Sequence, residues 1–261
     1  MASDLYKEAE RKLSGFAFGD LFGGKSFRYH EAGELFMKAA NLWRVEGEKE
    51  KCIESYERAA FCYEKSGNEY ELMSCLSTLA KIKSDVELYE RVVEIYSRDG
   101  KFSNAAKIQC EMAALLEGKD KMKALEAYTK AARLYSEQNQ DIARNSCLAK
   151  MAELSATLEM YDAASLLFEG LATRYKVNEH LFNASLCVMY KLDNDLLEDT
   201  ISRFCNEFPN FRKSQEYNQL ERLLYANDQE DFRAVCVDIN PTGWKVKLLQ
   251  YVLESLDTDY C

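Results

Sequence analysis

The amino-acid sequence predicts an all-α fold: a right-handed solenoid of antiparallel helix hairpins followed by a C-terminal helical bundle. The 261 residues include only two prolines, Pro209 and Pro241, among abundant Ala, Leu, Glu and Lys. So few helix breakers in so long a chain favour helix throughout. A short pattern of alanines and aromatics recurs from Glu31 onward, with apolar residues at i, i+3, i+4 and i+7, the stripe of an amphipathic helix. The pattern weakens after Lys191, which separates an array from a bundle. The predicted divisions are an N-terminal helix and apolar loop (1–30), the helical repeat array (31–191), and the bundle with an acidic tail (192–261).

The first dozen residues, Met1 to Lys12, are charged and amphipathic, unlike a signal peptide. Then comes Gly15-Phe16-Ala17-Phe18-Gly19-Asp20-Leu21-Phe22-Gly23-Gly24. Glycine used this heavily costs conformational entropy in a helix or strand, so the segment reads as a loop, and loops lie at surfaces. Two readings fit its large apolar residues: a finger that touches a membrane, or a plug folded back on the first helix pair. Gly19 to Ser26 also spells the phosphate-loop pattern G-x-x-x-x-G-K-[ST]. A phosphate loop must follow a buried strand, whereas Leu5 to Ser14 are charged and helix-like. ATP binding is therefore not expected.

The repeat first appears as Ala32-x-x-Leu35-Phe36-x-x-Ala39-Ala40-x-Leu42-Trp43. It returns around Ala59-Ala60, Val92-Val93, Ala131-Ala132 and Leu171-Ala172. Small Ala beside large aromatics lets neighbouring helices approach closely. The copies at Val92, Ala131 and Leu171 lie about 40 residues apart, near the tetratricopeptide period of about 34. Partner helices are expected over Cys75–Ile82, Asn104–Leu116 and Ala143–Leu154. Gly67, Gly100 and Gly118 are candidate helix ends, and Asp141 is a candidate N-cap. Beyond Lys191, helices are expected over Leu196–Phe208, Ser214–Ala226, Asp228–Val237 and Thr242–Leu256, with a turn at Asn240-Pro241-Thr242-Gly243. Such helices would cover the last apolar face of the solenoid.

The formal net charge is −10, which argues against general nucleic-acid binding. The nine cysteines are scattered singly through apolar helical stretches, with no CxxC. They read as small hydrophobes in a reducing cytosol, not as metal ligands. No catalytic constellation, metal site or cofactor is expected. His30 and His180 lie far apart; His30 is placed before the first repeat helix, and His180 reads as structural. No apolar run approaches a membrane-spanning length.

The residues of Asp20-Leu21-Phe22-Gly23-Gly24, Ala39-Ala40-Asn41-Leu42, Asp99-Gly100-Lys101-Phe102 and Asn145-x-Cys147-Leu148-x-Lys150-x-Ala152 support a family resemblance. So do Glu207-Phe208-Pro209-x-Phe211 and Trp244. In order along nearly the whole chain, they resemble the soluble NSF attachment protein (SNAP) family, most nearly its alpha branch. The resemblance implies a non-enzymatic adaptor that binds the assembled four-helix SNARE bundle, syntaxin-containing, and recruits the hexameric ATPase NSF to take it apart. It implies a cytoplasmic protein, peripheral on the cytosolic face of membranes, acting in vesicle-mediated and ER–Golgi transport. The membrane contact falls on Phe16, Phe18, Leu21 and Phe22. Fully burying one large apolar side chain is worth roughly 1.5–3 kcal/mol, so partial insertion of four gives an auxiliary anchor.

The resemblance also implies a basic face for the acidic SNARE surface, at Lys101, Lys107 and Lys150. This chain departs from relatives in having Ser146 just ahead of the Cys-Leu pair and Asn178 at another basic position; Arg98 and Arg144 are candidates to compensate. The NSF contact falls on Glu254, Asp257, Asp259 and Tyr260, although relatives end in a longer acidic run and a penultimate Leu. The competing reading is a generic tetratricopeptide peptide-binding scaffold or co-chaperone adaptor, which leaves the Leu-Phe-Gly-Gly loop idle.

Overall fold

The computed structural model describes residues 1–14, 24–226 and 228–256. Among the described residues every regular element is helical. There are fourteen α-helices and one short 3-10 turn at Phe211–Lys213. The chain forms two compact units, Met1–Leu115 and Leu116–Cys261, with the division inside one helix.

The first unit holds α1 (Ala2–Ser14), α2 (Gly24–Glu46), α3 (Lys49–Ser66), α4 (Glu69–Lys83), α5 (Val86–Arg98) and most of α6 (Phe102–Glu117). Short connectors make successive helices antiparallel neighbours, and α1 through α4 each pack on the next. The Ala/aromatic pattern explains how. Ala32, Ala39, Ala40, Ala59 and Ala60 are buried beside Phe36, Tyr56 and Tyr63. The closest approach is at Gly33 of α2, where a Cβ would sit 2.9 Å from Tyr63 Cε1. Tyr6 of α1 meets Phe36 edge-on at 5.0 Å. At the far end of α2, Lys51 lies over the Trp43 ring at 4.7 Å.

The second unit continues with α7 (Lys121–Glu137), α8 (Asp141–Thr157), α9 (Tyr161–Ala172) and α10 (Val177–Met189), again packed in sequence. Then α11 (Asn194–Glu207), α12 (Gln215–Leu224), α13 (Gln229–Ile239) and α14 (Trp244–Ser255) gather around one core. Phe168, Leu181, Leu186, Phe204, Phe211, Leu220 and Phe232 are among its largest fully buried side chains. Trp244 opens α14, stacks on Phe168 at 6.0 Å and donates Nε1–H to Glu153 Oε2 of α8 at 2.8 Å. That bond, with the packing of α14 on α10 and α8, ties the last helix to the hairpin stack.

Capping residues set most boundaries. Side-chain oxygens of Asn68, Asp85, Asp120, Asp193, Ser214 and Asp228 accept first-turn amides of the helices they precede. Gly67 ends α3 at φ +73°, the left-handed conformation that glycine adopts without strain. Three expectations are corrected. The helix carrying the first repeat begins at Gly24, not Glu31, so His30 lies inside α2, within reach of Asn68 and Glu34. Gln140 is the N-cap residue of α8; Asp141 is its first helical residue and pairs with Arg144 at 2.9 Å. The partner helices are longer than predicted, running over Glu69–Lys83, Phe102–Glu117 and Asp141–Thr157.

Of the eight described cysteines five are buried. Burial pushes the thiols of Cys62 and Cys75 up to about 11 and about 12, as expected for inert apolar packing. No helix is long and apolar enough to cross a membrane among the described residues.

Candidate functional site

The predicted contact residues fall into three groups. Phe16, Phe18, Leu21 and Phe22 lie outside the described residues, as do Asp257, Asp259 and Tyr260. Glu254 is exposed in the last turn of α14 and accepts a hydrogen bond from Gln250 at 2.9 Å. The basic candidates are all placed.

In the first unit, Arg98 ends α5 and Lys101 immediately precedes α6, because Gly100 at φ +70° turns the chain between them. Both cations converge on Asp99: Lys101 Nζ at 3.3 Å and Arg98 Nε at 3.5 Å. Arg98 Nη2 also reaches Glu69 Oε1 at 2.7 Å. Slight desolvation works against ionisation of Asp99, but the hydrogen bond and charge of Lys101, with Arg98 beside it, hold the carboxyl below its usual range. Lys107 stands differently. It is exposed on α6, between the buried Ala106 and Ile108, and no carboxylate is within ion-pair distance among the described residues.

In the second unit, Lys150 of α8 bridges to Glu117 at 3.2 Å. Arg144 sits six residues earlier on the same helix, mostly buried; its Nη2 is held by Asp141, and its Nε is shielded without a hydrogen-bond partner. Residues six apart point to different faces of a helix, so Arg144 and Lys150 do not share a surface.

Lys150 lines an open groove of about 630 Å³ together with Lys121, Ser146, Glu153, Lys176 and His180. Sequence reasoning missed Lys121 and Lys176. Both are exposed and line the groove, in which Ser146 stands at one of the expected basic positions. Lys176 has φ +47° and pairs with Glu179 at 3.1 Å. The groove floor is aromatic. His180 stacks on Phe168 at 6.0 Å and meets the edge of Tyr175 at 5.1 Å. Burial pushes the His180 pKa down, and neither ring nitrogen has a hydrogen-bond partner.

Gly24, Lys25 and Ser26, the end of the phosphate-loop pattern, open α2, and Ser26 Oγ donates to the Ser66 carbonyl at 2.9 Å. Among the described residues, the regular element before them is α1, a helix.

Stacked hairpins, with their basic side chains set along grooves and helix ends, define a helical-repeat scaffold. The sequence model described as "Soluble NSF attachment protein, SNAP" matches residues 1–257. The chain belongs to that family. It is 27% identical to the alpha-soluble NSF attachment protein of Vitis vinifera, over 97% of this chain and 93% of the relative. It is 26% identical to that of Saccharomyces cerevisiae, over 97% and 96%. It is 29% identical to the vesicular-fusion protein SEC17 of Komagataella phaffii, over 85% of this chain and 82% of the relative.

Proposed function

We propose that this chain is an adaptor that binds assembled SNARE complexes and recruits and stimulates the NSF ATPase, so that spent complexes are disassembled in vesicle fusion and transport. The family match over residues 1–257 carries this reading. In it, 31–191 is the SNARE-binding array, 192–261 the bundle and NSF-facing tail, and 1–30 the membrane-contacting end on the cytosolic side. Lys107 is the strongest single candidate for the SNARE contact, because it is exposed without a carboxylate partner among the described residues. Lys150, although paired with Glu117, brings the groove residues Lys121 and Lys176 with it, while Arg98, Lys101 and Arg144 are committed to carboxylates outside that groove. Phe16, Phe18, Leu21 and Phe22 supply the membrane contact, and Glu254, Asp257, Asp259 and Tyr260 the NSF contact.

The test is capture of purified SNARE complex by wild type and by Lys107→Glu with Lys150→Glu, across a salt titration. Two exposed contacts worth up to about 1 kcal/mol each imply a loss of up to roughly 30-fold at low salt, shrinking as salt screens the pair. Unchanged binding removes both lysines from the site. Absence of SNARE capture by the wild type, with no NSF-dependent disassembly, refutes the function.

A further inference from the structure

A pocket of about 660 Å³ lies in the first unit between the end of α1, the start of α2 and the second half of α3. Its walls carry Lys7, Arg11 and Arg58, one carboxylate (Glu10), and the rings of Tyr29 and Phe61. The excess of cations is unusual in a chain of net charge −10. Lys7 and Arg11 are exposed, and neither has an ion-pair partner among the described residues. Arg58 reaches Glu10 only at 3.7 Å, and its Nε is shielded from solvent without an acceptor. Its guanidinium is braced over the Phe36 ring at 5.3 Å, so its charge is fixed in place. Phe61 is 43% exposed, lies edge-on to Tyr29 at 6.1 Å, and carries Lys65 Nζ above it at 5.6 Å.

We infer that this pocket binds the headgroup of an anionic lipid bearing more than one phosphate, of the polyphosphorylated inositol type. Three cations against one carboxylate leave a net charge of +2, which the single negative charge of a phosphodiester headgroup would not neutralise and which added phosphomonoesters would. Arg forks match phosphate oxygens, and the exposed aromatic rim suits the polar–apolar boundary of a bilayer. Continuity fixes the source as a lipid. Leu13 and Ser14 line the pocket, and the next residue in the chain is Gly15, the start of the Phe- and Gly-rich segment proposed to touch the membrane. The headgroup site rests on that membrane reading and adds lipid selectivity to it.

The test is co-flotation of the full chain with three kinds of vesicle: neutral phosphatidylcholine, phosphatidylcholine with a bisphosphorylated phosphoinositide, and phosphatidylcholine with phosphatidylserine at matched total charge. Preferential binding to phosphoinositide vesicles, reversed by soluble inositol trisphosphate, supports the site. Each basic residue near an anionic surface contributes roughly a fivefold factor. Lys7→Gln with Arg11→Gln should therefore cost on the order of 25-fold on phosphoinositide vesicles and leave neutral vesicles unaffected. Both positions are exposed, and an unchanged melting curve confirms folding. Equal binding to the charge-matched phosphatidylserine vesicles overturns the site, as does an unchanged double variant. Binding of inositol trisphosphate without phosphoinositide vesicle preference overturns the lipid assignment. Phe16→Ser with Phe22→Ser separates the two ideas: no change on neutral vesicles refutes the membrane segment and leaves the headgroup comparison readable.

Discussion

Gly33→Ala sets two effects of known sign against each other. Gly33 is buried inside α2, where replacing glycine by alanine should stabilise a helix by about 1 kcal/mol. The new Cβ would stand 2.9 Å from Tyr63 Cε1 and 3.2 Å from both Cδ1 and Cζ, well inside the ordinary 3.5–4.0 Å carbon contact. Tyr63 is 1% exposed and is fully enclosed, so its ring cannot swing into solvent. Forcing an extra methyl into a packed core costs about 1–3 kcal/mol, and at this separation the upper half of that range applies. The net expectation is a loss of about 1–2 kcal/mol. The assay is urea denaturation followed by circular dichroism, in wild type, Gly33→Ala, Tyr63→Leu and the double variant. In the Tyr63→Leu background the methyl has room, and the alanine should be neutral or stabilising. If Gly33→Ala alone stabilises the chain, or the two substitutions act additively, the close-approach argument is wrong.

The other predictions concern the second unit. His180 is held neutral by burial, with a folded pKa below the ordinary 6.5. The unfolded chain therefore takes up a proton first as pH falls, so stability present above about pH 6.5 declines below it, by at most about 1.4 kcal/mol per pH unit. His180→Phe should flatten that part of a stability–pH profile measured by denaturant midpoint; a profile parallel to wild type refutes the assignment. Ser214→Ala removes the acceptor for the Tyr217 amide and should cost about 1 kcal/mol in the same assay, with Ser214→Asp largely retaining the cap.

How much of this was legible in the sequence depends on the range of the interaction. Helices, their Ala/aromatic seams and the Gly67 helix end are local patterns, and they are present near where the residues placed them. The start of α2 was misplaced because Lys25–His30 carry no apolar stripe; the helix there is held partly by the distant Ser66 carbonyl. Asp141 looked like a cap from its residue type alone, yet its charge serves Arg144 inside the first turn. The basic positions were readable, but not the carboxylates that reach Arg98 and Lys150 across the fold, since Glu69 and Glu117 approach from other helices. Lys121 and Lys176 were missed for the same reason: they meet Lys150 only through the fold.

The chain has two tryptophans, and one falls in each compact unit. Trp43 is partly exposed beneath the Lys51 ammonium, whereas Trp244 is buried against Phe168 and hydrogen-bonded to Glu153. The protein thus carries two optical reporters in unlike surroundings. Unfolding of the second unit moves Trp244 from an enclosed aromatic stack into water and red-shifts its emission, while Trp43 starts nearer to solvent and shifts less. Fluorescence alone can therefore tell which half of the molecule opens first.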